Sequence, residues 1–177
     1  MMPYRSKVIM TAVLGCSLAL ALILSYIESL LPLTIGIPGV KLGLANLVVI
    51  VLLYLSDWRC ALAVDITRVI LAGFLFGNLS AILYGLSGAI VSFLFMLVMK
   101  RLHFKMGTVS IGGGITHNIG QLLVAAFVVE NGNVFFYLPW LIIVGCFTGA
   151  MIGIYAYAGK KSLEAEFLEF DYEAKGE

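Results

Sequence analysis

With 177 residues, 62% of them hydrophobic and 12% charged, and a mean hydropathy of +1.06, the chain lacks the charge that covers a soluble domain of this size. Apolar runs long enough to cross ~30 Å of hydrocarbon recur along it, and the expected class is an all-α integral membrane protein. A net charge of +1 gives no footing for nucleic-acid binding.

Breaks in the hydropathy predict six transmembrane helices, over 8–28, 43–55, 58–76, 79–99, 109–129 and 134–157, within a membrane domain of residues 1–161. "VLGCS" and "ALA" in the first helix resemble processing sites, but the apolar run continues through Ile27, where a cleaved leader gives way to polar chain. Ala12, Gly15, Cys16 and Ala19 recur at spacings of three and four, a small-residue stripe that permits close helix approach. Such a stripe is a docking face, either within the fold or for a partner.

The stretch "SLLPLTIGIPGVKLGLAN" joins the first two helices, too apolar for a hydrated loop and too broken for a helix. It is expected to fold as a lid over a cavity, with Lys41 and Asn46 as candidate ligand contacts. Glu28 and Glu130, at helix ends, could pair with Lys41 or hold a cationic group, but the expected reading is that both are exposed end residues. The second helix is short for a span, about 20 Å at ~1.5 Å per residue. Shortness of this kind marks either a binding site or a tilted, partly re-entrant helix.

The third helix carries Asp65 and Arg68 within otherwise apolar sequence. Counted from Trp58, they lie ~10 and ~15 Å into the bilayer. Three apart, they share a face and are able to pair. Arg at mid-span costs at least ~2.5 kcal/mol and is expected to face protein or water. Packing by an internal pair and a functional cavity both fit, and a buried pair is a poor source of net stability.

In the fifth helix, "SIGGGITHNIGQLL" places Gly113, His117 and Gln121 on one face, with Asn118 beside them. His117 and Gln121 fall ~12 and ~18 Å in, the depth of the Asp65–Arg68 pair. A polar chamber is expected, either a ligand site or an interhelical hydrogen-bond network. The three glycines admit either another helix or a ligand close to the backbone. Cys16, Cys60 and Cys146 show no metal-ligand spacing and read as packing residues, so no metal site is expected. The tail, 162–177, has six acids and one lysine and reads as a solvated cytoplasmic end, lying near the headgroups as a short helix.

Orientation follows from the basic residues. Arg5, Lys7, Arg59, Lys100, Arg101, Lys105, Lys160 and Lys161 collect on one side and Lys41 on the other, placing both termini in the cytoplasm. An odd number of spans would scatter them.

"PGVKLGLANLVVIVLLYL", "DITRVILAGFLFGNLSAILYGLSGAIVSF" and "GGITHNIGQL", within residues 8–157, carry a resemblance to the Gx transporter group. The chain is most similar to its heptaprenyl diphosphate synthase component I-like subfamily, related to the S-components of energy-coupling factor transporters. The resemblance implies a six-helix S-component-like bundle in the bacterial inner membrane. It further implies a lid after the first helix and a small cofactor, vitamin or precursor bound among the outer helix halves. The first helix would dock on a transmembrane coupling protein through an Ala-x-x-x-Ala pattern, here Gly15 and Ala19, and separate ATPase subunits would hydrolyse ATP.

The residues supply no catalytic set. Prenyl chain elongation needs magnesium held by clustered carboxylates, and Asp65 has no acid near it in sequence; there is no phosphate-binding loop either. A transporter binding subunit, meeting a small-molecule ligand, membrane lipids and those partner subunits, is therefore expected. The alternative is a non-catalytic membrane accessory subunit of polyprenyl diphosphate or menaquinone biosynthesis.

Overall fold

The computed structural model describes residues 7–30, 43–130 and 132–176, with side chains for 10–30, 43–130 and 132–163. Among the described residues six α-helices follow one another: α1 (Lys7–Leu30), α2 (Asn46–Leu55), α3 (Trp58–Phe76), α4 (Leu79–Arg101), α5 (Met106–Val129) and α6 (Leu138–Gly176), with a 3-10 turn at Gly132–Tyr137 before the last. No strand occurs among the described residues. Local chemistry sets several boundaries. Asp57 caps α3 by accepting from Arg59 N, and Asn78 caps α4 by accepting from Ala81 N at 2.8 Å. Glu130, in the left-handed region at φ 52°, ends α5.

The helices alternate in direction. At one end, Lys100 of α4 donates to the Leu53 carbonyl of α2, and Tyr54 Oη donates to Phe104 O at 3.2 Å, ahead of α5. Asp57 and Lys160 are within electrostatic reach of Lys100 there. At the other end, the rings of Tyr26 on α1 and Phe76 on α3 approach to 5.0 Å, and Glu28 reaches Gly43 ahead of α2.

α5 is the central element, packed along α4 on one side and α6 on the other. A Cβ on Gly145 would stand 2.8 Å from Gly114 O, and one on Gly149 2.6 Å from Ser110 O, while Gly153 faces Gly107. That reversed order is an antiparallel pair at backbone contact distance, the approach that small residues permit in lipid. Gly112 and Gly113 likewise make room for Phe95 and Met96 of α4. Close helix packing is realised at Gly112, Gly113 and Gly114 alike, and Gly113 and Gly114 also border a small cavity beside His117.

The bundle is inverted in polarity relative to a soluble protein. Phe127 is 85% exposed, Phe136 82% and Phe74 75%, whereas Glu28, Asp65, Arg68, Ser92, Ser110, His117, Asn118 and Thr148 are buried. In water an apolar surface of this extent is not sustained; against hydrocarbon it costs nothing, and the polar groups turn inward.

Four of the helical segments are long and apolar enough to cross a membrane: Met10–Leu30, Leu79–Arg101, Met106–Val129 and Gly132–Leu163. α3 has the length, at 19 residues, but carries Arg59, Asp65 and Arg68. α2 differs from the predicted helix: it has 10 residues and begins at Asn46, because Gly43 sits in the left-handed region at φ 74° and residues 43–45 form a turn. At ~1.5 Å per residue α2 spans ~15 Å, half the hydrocarbon thickness. α6 is longer than predicted and continues unbroken through the acidic segment to Gly176, 39 residues or ~58 Å.

Cys16 and Cys146 are exposed and Cys60 is half-buried, so the first two face outward instead of filling gaps in the packing. The stripe on α1 behaves likewise. Ala12, Gly15, Cys16 and Ala19 all lie on the exposed face, and a Cβ on Gly15 would meet nothing within 4 Å. The stripe is therefore not an internal packing face.

Candidate functional site

The site is assembled around Arg68, halfway along α3 and 7% exposed. Its Nη2 donates to Asp65 Oδ1 at 2.5 Å, an ion pair one helical turn long, with Asp65 itself 2% exposed. The same Nη2 donates to Asn46 Oδ1 at 3.1 Å. The contact follows from the early start of α2. A short helix rising from the Leu53–Lys100 end brings its first residue only to mid-depth, level with Arg68. Arg68 Nε is buried and makes no hydrogen bond. A guanidinium has five donors in a fixed fork, and leaving one unmade in a dry site costs roughly 1–3 kcal/mol.

Two small polar cavities adjoin this cluster. One, of about 20 Å³, is bounded by Ser25 and Glu28 of α1, Arg68 of α3, Gly85 of α4, and His117 and Gln121 of α5. The other, also about 20 Å³, is bounded by Asn46, Ser92, Ser110, His117, Asn118 and Thr148. His117 borders both. Each has room for a single water, which needs at least ~10–15 Å³.

The walls are held by side-chain bonds between helices. Ser92 Oγ donates to Gly113 O at 2.9 Å, tying α4 to α5. Asn118 Nδ2 donates to Leu141 O at 2.9 Å, tying α5 to α6. A Cβ on Gly88 would stand 2.9 Å from His117, so this glycine lets the imidazole come close against α4. Glu28 Oε1 accepts from Gly43 N at 2.5 Å, fastening the end of α1 to the turn that precedes α2.

Of the residues singled out from sequence, Asn46, Arg68, His117, Asn118 and Gln121 come together around these cavities. Asp65 borders neither and contacts the cluster through Arg68. Lys41 and the 31–42 part of the expected lid lie outside the described residues. Glu130 is an exposed end residue, as favoured, but Glu28 is not: it is buried, since α1 runs on to Leu30 and turns the carboxylate inward. Ser25, Ser92, Ser110 and Thr148 were passed over. Single hydroxyls in membrane helices usually bond their own backbone, as Ser87 does to Tyr84 O, so their type carries little signal.

The family model for heptaprenyl diphosphate synthase component I matches residues 18–158, which takes in about half of α1, all of α2 to α5 and α6 as far as residue 158. No curated protein and no solved structure matches the chain. Since the match covers the whole helical core, including every residue around the two cavities, the chain belongs to the heptaprenyl diphosphate synthase component I family.

Proposed function

We propose that the chain is a non-catalytic, substrate-binding membrane subunit of the S-component kind. It crosses the bacterial inner membrane six times with both termini in the cytoplasm, and takes up a small cofactor, vitamin or precursor. Partner subunits, a coupling protein and ATPases, supply the energy. The observation that carries this reading is Arg68, a mid-depth guanidinium with a donor unused beside a polar cavity. Charged groups at this depth are costly to retain, and where they occur they mark substrate or ion pathways. Arg68, Asn46, His117 and Gln121 offer planar donors and acceptors suited to an anionic or carbonyl-rich solute, with Asn118 and Lys41 as further contacts. Pairing with Asp65 is what allows α3 to count as a span despite its charges. α2 then passes the membrane as the helical half of a broken segment, the arrangement of sites in transporter folds.

A vitamin-sized ligand needs at least ~300 Å³, so loading requires helices to part. α1 is suited to move, since it buries little beyond Ala21 and Glu28. Its outward stripe, Ala12, Gly15 and Ala19, is then the docking face for the coupling protein. The family description names a component of a synthase, which fits a non-catalytic subunit and supports a second reading as an accessory protein in polyprenyl diphosphate or menaquinone biosynthesis.

The test begins with mass spectrometry of the compounds that co-purify with the detergent-extracted protein. Arg68→Lys keeps the charge and loses the planar fork, so retention of such a solute should fall at least ~tenfold, or ~1.4 kcal/mol. Asp65→Asn with Arg68→Met removes both charges and should leave a folded protein that retains none. Undiminished retention by that folded double variant rejects the binding-site reading and leaves Asp65–Arg68 a packing pair.

A further inference from the structure

A hollow much larger than these two cavities lies away from the chamber, at the end of the bundle where α5 begins. It is a groove of about 930 Å³ between the start of α5 and the outward side of α6. Its floor is apolar or small, formed by Ile111, Ala150, Gly153 and Ile154, and its rim carries Lys105 and Lys160. Tyr54 and Tyr157 border it as well, and none of the described residues that line it is a carboxylate. Lys100 stands behind the rim next to Lys160, with Asp57 close enough to offset part of its charge.

The two halves of the groove ask for different chemistry. Ile154 and Tyr157 are exposed on the lipid side of the bundle, so the floor is open laterally to hydrocarbon. Lys105 stands at the start of α5 and Lys160 beside it on α6, where the apolar part of that helix gives way to charged sequence. Both are at the level of headgroups, with tyrosines beside them as amphipathic borders of the interface. Positive charge at the mouth and apolar surface below match a molecule with an anionic head and a long hydrocarbon chain. The first-turn amides of α5 reinforce that polarity. A bilayer supplies such molecules at the site itself, whereas a soluble anion has no use for the floor.

We propose that this groove holds one anionic membrane phospholipid, its phosphate at the Lys105–Lys160 rim and an acyl chain along Ile111 and Ile154. The site is independent of the Arg68 chamber and stands whichever solute, if any, that chamber binds. Gly107, in the first turn of α5, gives the means to block it: a Cβ there meets nothing within 4 Å, so a larger side chain enters the groove without displacing the protein.

The full chain, in phosphatidylcholine nanodiscs doped with phosphatidylglycerol, is released and weighed by native mass spectrometry. One phosphatidylglycerol should remain bound, in preference to phosphatidylcholine. Each of Lys105→Gln and Lys160→Gln should weaken its retention about fivefold, the worth of one cation near an anionic surface, and the pair more than tenfold. Gly107→Leu should abolish retention while the melting temperature in pure phosphatidylcholine stays unchanged. Equal retention of the two lipids by the unaltered protein would overturn the proposal, as would a double lysine variant that binds as before. Preferential retention of an isoprenoid diphosphate from an equimolar mixture with phosphatidylglycerol would also overturn it, by assigning the groove to a different occupant.

Discussion

Arg68 holds Asp65 and Asn46 through a single nitrogen, so three helical turns of two elements depend on one guanidinium. The free-energy consequence is asymmetric. Replacing Arg68 by Met strands Asp65, an acid 2% exposed, as an unpaired buried group. Breaking a buried pair in this way costs about 3–5 kcal/mol, whereas removing both charges is often nearly neutral. Thermal unfolding in detergent should therefore show a large drop for Arg68→Met alone and recovery of most of it in Asp65→Asn with Arg68→Met. A double variant as unstable as the single one would mean that Arg68 stabilises through Asn46 and packing, and not through charge. Asn118 makes a different contribution: its amide is committed to Leu141 O, so its substitution is expected to loosen α5 from α6 before it alters any solute contact.

At the scale of the helices, glycines divide by what surrounds them, and identical substitutions should have opposite outcomes. Gly149 is pressed against the backbone of α5, with Ile111 Cα 2.7 Å from where its Cβ would be. Gly149→Leu has to push two helices apart, and the purified protein should aggregate or lose its cooperative melting transition. Gly15 has open space around it. Gly15→Trp should leave the melting transition intact while removing any membrane partner that docks on α1, since close approach depends on small side chains. The measurement is co-purification of partner proteins from native membranes, compared between the unaltered chain and Gly15→Trp. Undiminished co-purification and uptake would reduce the stripe to a lipid-facing surface.

At the scale of the whole molecule, alternating helices gather Asp57, Lys100 and Lys160 at one end. If that end is cytoplasmic, as the bias of lysine and arginine requires, a cysteine at 162 is hidden in intact cells and one at 132 is not. In a background without Cys16, Cys60 and Cys146, a membrane-impermeant thiol reagent should label Gly132→Cys and spare Ser162→Cys until the membrane is opened. Labelling of position 162 in intact cells would reverse the orientation. Because α6 continues for 39 residues, its far part must leave a bilayer whose core is ~30 Å thick. The acidic segment is therefore carried outward on a helix that starts inside.

Membrane class and the order of helices were legible in the sequence because lipid rewards continuous apolar runs, and α3 and the start of α4 fall where hydropathy breaks. The meeting of Arg68, His117 and Gln121 around one cavity was legible too, since a regular rise per residue converts position into depth, whereas Asp65 joins them only through Arg68. Asn46 stood out only as the end of a broken stretch. Its bond to Arg68 exists because the turn at Gly43 starts α2 halfway across, a backbone conformation that hydropathy does not register. Glu28 was misjudged for a related reason: a carboxylate at a helix end turns outward or inward according to what stands opposite, and the Gly43 amide stands opposite. The glycines of α5 posed the same problem, since Gly112–Gly114 admit either a ligand or a neighbour. Only the tertiary structure shows that Phe95, Met96 and Gly145 arrive against them from two other helices while Gly113 and Gly114 keep one edge on the cavity, because close approach is a property of pairs of elements and not of one.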